Sequence, residues 1–215
     1  PMLTVRARML DALRARGPDA QHIVAFNADG NVGDAALPAR AALVHARLSI
    51  IDPRPEADQP MGSDDSTLWL CYNGEVYGWQ DEARLLEARG ATFRTRSDTE
   101  FILRAYEAYG IEGLLARLRG MFAFALVDFR TRRVHLVRDR LGLKPPVYAH
   151  IGSSLAFGSP VRTALPSLAA APPALSPARI HALPAPPLLP AAPPAVAHVP
   201  RVPTPPLTPS ALNTH

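Results

Sequence analysis

Hydrophobic residues recur at helical spacing in four segments of the chain. The segment 4–16 places Val5, Met9 and Leu13 on one face of a helix, and the Gly17-Pro18 pair ends it. The same spacing predicts helices over residues 80–89, 97–109 and 111–118. The predicted helices therefore lie near the start and in the middle of the chain.

The third of these helices carries its own start signal. Ser97 and Glu100 have the spacing of a capping box. In this motif the Ser97 hydroxyl accepts a hydrogen bond from the backbone N–H of Glu100, and the Glu100 carboxylate reaches back towards the start of the helix. We expect the apolar stripe that follows to face a sheet, and it consists of Phe101, Ile102, Ala105, Tyr106 and Tyr109.

Runs of apolar and β-branched residues predict strands before and after these central helices. HIVAF and AALVHARLSII flank a turn-rich segment, LWLCYNGEVY forms a third run, and MFAFALVD, TRRVHLVRD, PVYAH and SLAFGS alternate with turn signals. Because strands and helices come in blocks, the pattern favours layered α+β architecture with antiparallel strands over a parallel βαβ repeat.

The composition changes near residue 160. Of the 24 prolines, 16 lie between 160 and 215, and the last acidic residue is Asp139. Proline removes backbone donors and clashes within helices, so we expect polyproline II or disorder from here on. The chain thus divides into a domain over residues 1–159 and a low-complexity tail over 160–215. An Ala-, Pro- and Arg-rich tail without acids is also what a shifted reading frame in a GC-rich gene would produce.

Charge and cysteine content exclude several classes of protein. The formal net charge is +4, and three arginines of the tail account for most of it, so the body lacks the basic face of a nucleic-acid binder. One cysteine excludes a disulfide framework and fits a reducing compartment. No apolar run is long enough to cross a bilayer, and the first residues lack a signal core, so we expect a cytoplasmic protein without membrane contact.

Seven short motifs occur along the chain in a fixed order. They are RGPD (16–19), HARLSIID (45–52), QPM (59–61), NGEVY (73–77), FRTRSDTEFIL (93–103), RGMFAFALVD (119–128) and RDRLGLKP (138–145). Together they closely resemble the glutaminase domain of the glutamine-hydrolysing asparagine synthetases, a class II glutamine amidotransferase. The resemblance covers roughly residues 9–158, and seven ordered matches make a chance origin improbable.

This resemblance implies a fold and a reaction. The fold is an αββα sandwich of the N-terminal-nucleophile hydrolase type, and the reaction hydrolyses glutamine to glutamate and ammonia. In the family the ammonia passes to a synthetase domain that makes asparagine. ATP and Mg belong to that domain, whose SGGxDS phosphate loop does not occur in this sequence, so no cofactor is expected here. The expected partners are glutamine and a separate synthetase domain or chain.

The resemblance also assigns residues to a site. Asn73 and Gly74 match the pair that forms the oxyanion hole, Arg47 matches the ligand of the glutamine α-carboxylate, and Asp98 matches the acceptor of the α-ammonium. Glu75 lies beside the same pocket. The residue types fit these roles, since glycine permits close approach of the backbone to a ligand and the forked guanidinium of arginine suits a carboxylate.

Each assignment has a structural alternative. Asn73-Gly74 has the sequence of a hairpin turn. Asp98 in the first turn of a helix favours the macrodipole without any ligand. Arg47 on a strand would be an ordinary surface charge.

The nucleophile is the main departure from the family pattern. Family members begin MCGI, with a cysteine whose own amine acts as base, whereas this chain begins PMLTVRAR. Either the domain is truncated and its first strand is missing, or it is a variant that has lost the nucleophile. Cys71 shares a strand face with Asn73, but it has no free α-amine, and a buried thiol is usually inert.

We therefore expect glutamine binding without turnover. A different hypothesis is a non-catalytic scaffold module whose proline-rich tail offers polyproline II ligands to partner domains.

Overall fold

A computed structural model describes most of the first 159 residues and two short segments beyond them. The described residues are 2–14, 17–27, 29–34, 39–48, 52–144, 146–151, 154–159, 180–182 and 195–199. The helices are α1 (Met2–Leu13), α2 (Trp79–Glu87) and α3 (Asp98–Arg117). The strands are β1 (Ala20–Phe26), β2 (Val32–Gly33), β3 (Ala41–Arg47), β4 (Met61–Gly62), β5 (Leu68–Val76), β6 (Gly120–Asp128), β7 (Arg133–Arg138), β8 (Val147–Ile151), β9 (Ser154–Gly158), β10 (Ile180–Ala182) and β11 (Ala195–Val199).

The strands form three antiparallel sheets. The largest has the order β11-β7-β6-β5-β4, and the two smaller ones have the orders β2-β1-β3 and β10-β8-β9. In the large sheet, β5 and β6 pair along their whole length, from Leu68 opposite Asp128 to Val76 opposite Gly120. The predicted antiparallel strands are thus confirmed, while β2 lies inside the segment that the sequence predicted as loop.

Two hydrophobic clusters hold these elements in layers. One lies between α2, α3 and the large sheet, and includes Leu86, Phe101 and Leu70. The other lies between the large sheet and the two smaller ones, where Phe26 and Leu136 are buried. Helix α1 contacts β3. The result is the expected αββα sandwich of the α+β class.

Strand β5 carries the predicted alternation of its side chains. Leu68, Leu70 and Tyr72 belong to the cluster on the helix side, whereas Trp69 and Cys71 pack into the cluster between the sheets. Successive side chains of a strand point to opposite faces, so a strand with sheet on one side and helices on the other buries both sets.

The start of α3 differs from the expected capping box in one respect. The Ser97 hydroxyl accepts from Glu100 N–H at 3.3 Å, as predicted. The buried Glu100 carboxylate instead accepts from the backbone N–H groups of Thr95, at 2.7 Å, and Arg94, at 3.0 Å. The turn before the helix points these two amides at the carboxylate, while Ser97 N–H bonds the Thr95 hydroxyl.

Gly110 interrupts α3. Its φ of 66° and ψ of −175° are not helical, so the element consists of two helical parts. This agrees with the prediction of a separate short helix from residue 111. Positive φ is accessible to glycine at little cost, which is why the break falls at this residue.

Two segments of the predicted tail are strands, and the expectation of polyproline II or disorder is wrong for them. Strand β10 pairs with β8, and β11 pairs with β7 at the edge of the large sheet. The sequence AVAHV of β11 lies between Pro194 and Pro200 and contains no proline, so all its backbone donors remain available. The other tail residues lie outside the described ranges.

Among the described residues, no helix combines the length and apolar content that a membrane crossing requires.

Candidate functional site

The candidate site lies along one edge of β5. Strand β4 pairs there with Trp69 and Leu70, and no described strand continues this pairing along residues 72–76. Side chains take the place of a strand. Tyr72 N–H donates to Gln59 Oε1 at 2.6 Å, and Val76 N–H donates to Asp98 Oδ2 at 3.0 Å.

Gly74 lies between these two residues and has the same orientation along the strand. Residues two apart direct their backbone groups to the same side. Its partner across the sheet is Phe122, whose backbone groups point away from β5. The Phe122 N–H donates to Asp139 Oδ2 at 3.2 Å, and the Phe122 C=O accepts from Asp139 N–H at 2.7 Å. The Gly74 N–H therefore points to the open edge, where no described residue accepts a hydrogen bond from it.

The close approach of β5 and β6 requires glycine at position 74. A Cβ there would lie 2.2 Å from the carbonyl oxygen of Met121 and 2.6 Å from Phe122 Cα. A Cβ at Gly120, opposite Val76, would lie 2.1 Å from the Glu75 carbonyl oxygen. Asn73-Gly74 thus lies within β5, paired with β6, and the alternative of a hairpin turn is wrong.

Asn73 directs its side chain towards the second small sheet. Its Nδ2 lies 3.4 Å from Oγ of Ser159, which follows β9. This is a long hydrogen bond by ordinary standards. The side-chain amide therefore lies where the large sheet meets the end of β9, one residue away from the Gly74 N–H.

Asp98 connects the start of α3 to β5. Its carboxylate is buried, and Oδ2 accepts from the Tyr72 hydroxyl at 2.6 Å as well as from Val76 N–H. Burial, and then the Asp98 charge, raise the pKa of Tyr72 far above its usual value, so the hydroxyl stays protonated and donates. Asp98 is indeed in the first turn of a helix, but its carboxylate is directed to the open edge.

Arg47 ends β3 and is buried, with 7% of its surface exposed, so the alternative of a surface charge is wrong. Its Nη1 donates to Asp58 Oδ1 at 2.7 Å and to the Arg54 carbonyl at 3.3 Å. Its Nη2 donates to the Asp52 carbonyl at 2.5 Å. Asp58 is held in turn by His22, whose Nε2 lies 2.9 Å from Oδ2. The guanidinium is thereby fixed beside the turn that follows β3.

His45 belongs to the same site and was missed by the sequence analysis. It lies two residues before Arg47 on β3, and its Nε2 lies 3.1 Å from the Tyr72 carbonyl oxygen. The pKa of His45 is lowered to about 4, mainly because the ring is buried; Arg47 and His22 act in the same direction, and the hydrogen bond to Tyr72 opposes them. The H-x-R spacing on one strand was a usable signal, because alternate residues share a face.

Glu75 and a groove near the site do not take part in these contacts. Glu75 is exposed on β5. A groove of about 380 Å³ includes Asp58, Met61, Trp69 and Arg94 in its wall, but none of the five predicted site residues. Asn73 and Gly74 lie on β5 next to Val76, whose N–H bonds Asp98, and Glu75 stays at the surface. The hydrogen bonds of Arg47 described above go instead to Asp52, Arg54 and Asp58.

Cys71 has the chemistry of a packing residue. It is half-buried between the sheets, and enough protein surrounds its thiol to raise its pKa to about 12. The thiolate is the nucleophilic form of cysteine, and desolvation disfavours it.

A model of the glutamine amidotransferase domain matches residues 3–198, and the chain belongs to this family. Within the family it is asparagine synthetase-like. It is 36% identical over 165 residues to asparagine synthetase [glutamine-hydrolyzing] 3 of Bacillus subtilis strain 168, and the aligned region covers 74% of this chain and 24% of that protein. It is 41% identical over 113 residues to asparagine synthetase [glutamine-hydrolyzing] 1 of the same organism, and there the aligned region covers 53% of this chain and 18% of that protein.

A solved structure confirms the fold. Glutamine phosphoribosylpyrophosphate amidotransferase from B. subtilis, complexed with ADP and GMP, superposes with a TM-score of 0.60 at 22% identity, over 71% of this chain and 38% of that one. At this identity the likeness concerns the fold alone. The chain spans about a quarter or less of the length of the asparagine synthetases that it matches.

Proposed function

We propose that this chain binds L-glutamine at the open edge of β5 and that its 215 residues do not hydrolyse it. The observation that carries the proposal is the Gly74 N–H, which points to the open edge with no acceptor among the described residues. A backbone donor held in a sheet next to a side-chain amide is the arrangement that stabilises an amide oxygen as charge develops on it.

The neighbouring groups suit the two ends of glutamine. Gly74 N–H and the Asn73 amide would face the side-chain carbonyl oxygen. The Asp98 carboxylate would face the α-ammonium, because the contacts of its Oδ2 hold it in place without neutralising its charge. Arg47 would attract the α-carboxylate, and exposed Glu75 would lie at the rim of the pocket.

The absence of turnover follows from the chemistry of Cys71. It is the one cysteine of the sequence, and its thiol has a raised pKa and no α-amine of its own. Without a thiolate or another activated nucleophile, bound glutamine stays intact. This chain would then supply no ammonia to a synthetase partner. A single cysteine also fits action in the reducing cytoplasm.

Calorimetry with L-glutamine, paired with an assay for released ammonia, tests both parts. We expect binding by the unaltered chain, binding at least tenfold weaker by Asp98→Asn, and no ammonia above the blank. Asp81→Asn is the matched control, because it makes the same change on an exposed carboxylate in the first turn of α2. If the unaltered chain binds no glutamine, the proposed site is wrong. Ammonia release would refute the proposed lack of turnover.

The scaffold alternative remains a prediction, because most of its proline-rich segments lie outside the described residues.

A further inference from the structure

Five backbone groups follow one another along the open edge of β5. They are Tyr72 N–H, Tyr72 C=O, Gly74 N–H, Gly74 C=O and Val76 N–H. Side chains from three different parts of the chain bond three of them: Gln59 precedes β4, His45 lies on β3, and Asp98 begins α3. These side chains do for the edge what a neighbouring strand would do, except at Gly74.

We propose that His45 is a positioning residue that holds the Tyr72 carbonyl so that the next group along the edge, Gly74 N–H, stays fixed and open to a ligand. The inference rests on the proposed glutamine site. The peptide between Tyr72 and Asn73 directly precedes the one that bears the Gly74 N–H, so its rotation would displace that donor.

The protonation state of His45 fits this role. A carbonyl oxygen only accepts, so Nε2 carries the proton and Nδ1 has a lone pair. Nδ1 is buried, with no partner in the described part of the chain. A second proton there would be unsatisfied and would lie near the positive charge of Arg47, with Asp58 as the opposing carboxylate. The ring is therefore neutral and keeps a single, oriented donor.

A pure packing role makes a different prediction from a positioning role. If His45 only fills space, an apolar side chain of similar size replaces it without displacing Gly74. If the Nε2 donor matters, the position of that one N–H decides the outcome. Glutamine places its amide nitrogen near the Nε2 position, whereas asparagine places it near Nδ1.

The experiment compares His45→Gln, His45→Asn and His45→Leu with the unaltered chain, and uses His22→Gln on β1 as the control for the first readout alone, because His22 bonds Asp58, the partner of Arg47. The first readout is the Gly74 amide resonance of the ¹⁵N-labelled protein without ligand. We expect this resonance to stay close to its original position in His45→Gln and His22→Gln, and to shift or broaden in His45→Asn and His45→Leu. The second readout is glutamine affinity by calorimetry, where we expect at least a tenfold loss for Asn and Leu and less than a threefold loss for Gln.

The two readouts separate the two proposals. If the unaltered chain binds no glutamine, the proposed function fails, while the Gly74 resonance still tests positioning in the free protein. An unshifted Gly74 resonance in both His45→Asn and His45→Leu would overturn the positioning role, and so would equal displacement in His45→Gln and His45→Asn. If His45→Leu does not fold, the Gln and Asn variants decide the question by the same criterion.

Discussion

The Tyr72 hydroxyl lies 2.6 Å from Oδ2 of Asp98, where β5 meets the first residue of α3. Both residues are buried, and Val76 N–H bonds the same carboxylate oxygen. A buried carboxylate is costly unless it is well hydrogen-bonded, so these neutral donors stabilise the charge without cancelling it. This relationship explains how a sheet edge can retain a negative group suited to a ligand cation.

Tyr72→Phe removes one of these donors. We expect the free energy of unfolding to fall by about 1.5–3 kcal/mol, the range for a hydrogen bond to a charged group. Urea unfolding at pH 7 measures the change. Tyr77→Phe is the control, because Tyr77 is 52% exposed and should change stability little. Equal stability of the Tyr72 and Tyr77 variants would show that the buried hydroxyl does not stabilise Asp98.

Gly74→Ala tests the close approach of β5 and β6. The new methyl group would overlap the Met121 carbonyl, so the strands must separate, which we expect to cost about 1–3 kcal/mol. Glutamine binding should weaken as well, because the Gly74 N–H moves with the strand. Gly33→Ala is the control, since a Cβ at Gly33 has no neighbour within 4 Å. A Gly74→Ala protein as stable as the Gly33→Ala protein would contradict this packing argument.

Much of the fold follows from local sequence patterns. The alternation in LWLCYNG correctly predicted which side chains share each face of β5. Both sets are apolar because one face packs against helices and the other against the smaller sheets. Helix α3 and its Ser97 cap followed from a local motif. Predictions based on composition failed where a short segment departs from the average, as AVAHV does in β11.

The contacts of the site were harder to predict, because they join residues far apart in sequence. Tyr72 meets Gln59, His45 and Asp98 at separations of 13, 27 and 26 residues. No periodicity encodes such pairs, since they depend on how β3, β5 and α3 pack. The family motifs assigned roles to Arg47, Asn73, Gly74, Glu75 and Asp98, but they did not reveal His45 or the pairing of Arg47 with Asp58.

The protonation of His45 should make the free energy of unfolding depend on pH between about pH 4 and pH 6.5. Its pKa is about 4 in the folded protein, against an ordinary value of 6.5, so the unfolded chain binds the proton more readily. Stability therefore falls as the pH drops from about 6.5 to about 4, and the loss at pH 5 is about 2 kcal/mol. The groups facing the ring are Arg47, His22, Asp58 and the Tyr72 carbonyl.

Urea unfolding at pH 7.5 and pH 5.0 measures this effect. His45→Gln should lose about 2 kcal/mol less than the unaltered protein between these two values, because glutamine does not titrate. Carboxylates with lowered pKa values, such as Asp65 at about 2, lose their contribution only at lower pH. An equal loss in both proteins would mean that His45 titrates normally in the folded state.

Cys71 should react slowly with thiol reagents in the native protein. With a pKa of about 12, roughly one thiol in 10⁴ is ionised at pH 8, against about one in four for an ordinary cysteine. We expect Ellman's reagent to label native Cys71 at least about a hundredfold more slowly than the chain unfolded in urea. Cys71→Ala should bind glutamine within twofold of the unaltered chain, since packing is the role assigned to this thiol. Rapid native labelling, suppressed by glutamine, would instead place a reactive thiolate in the site and make Cys71 a candidate nucleophile.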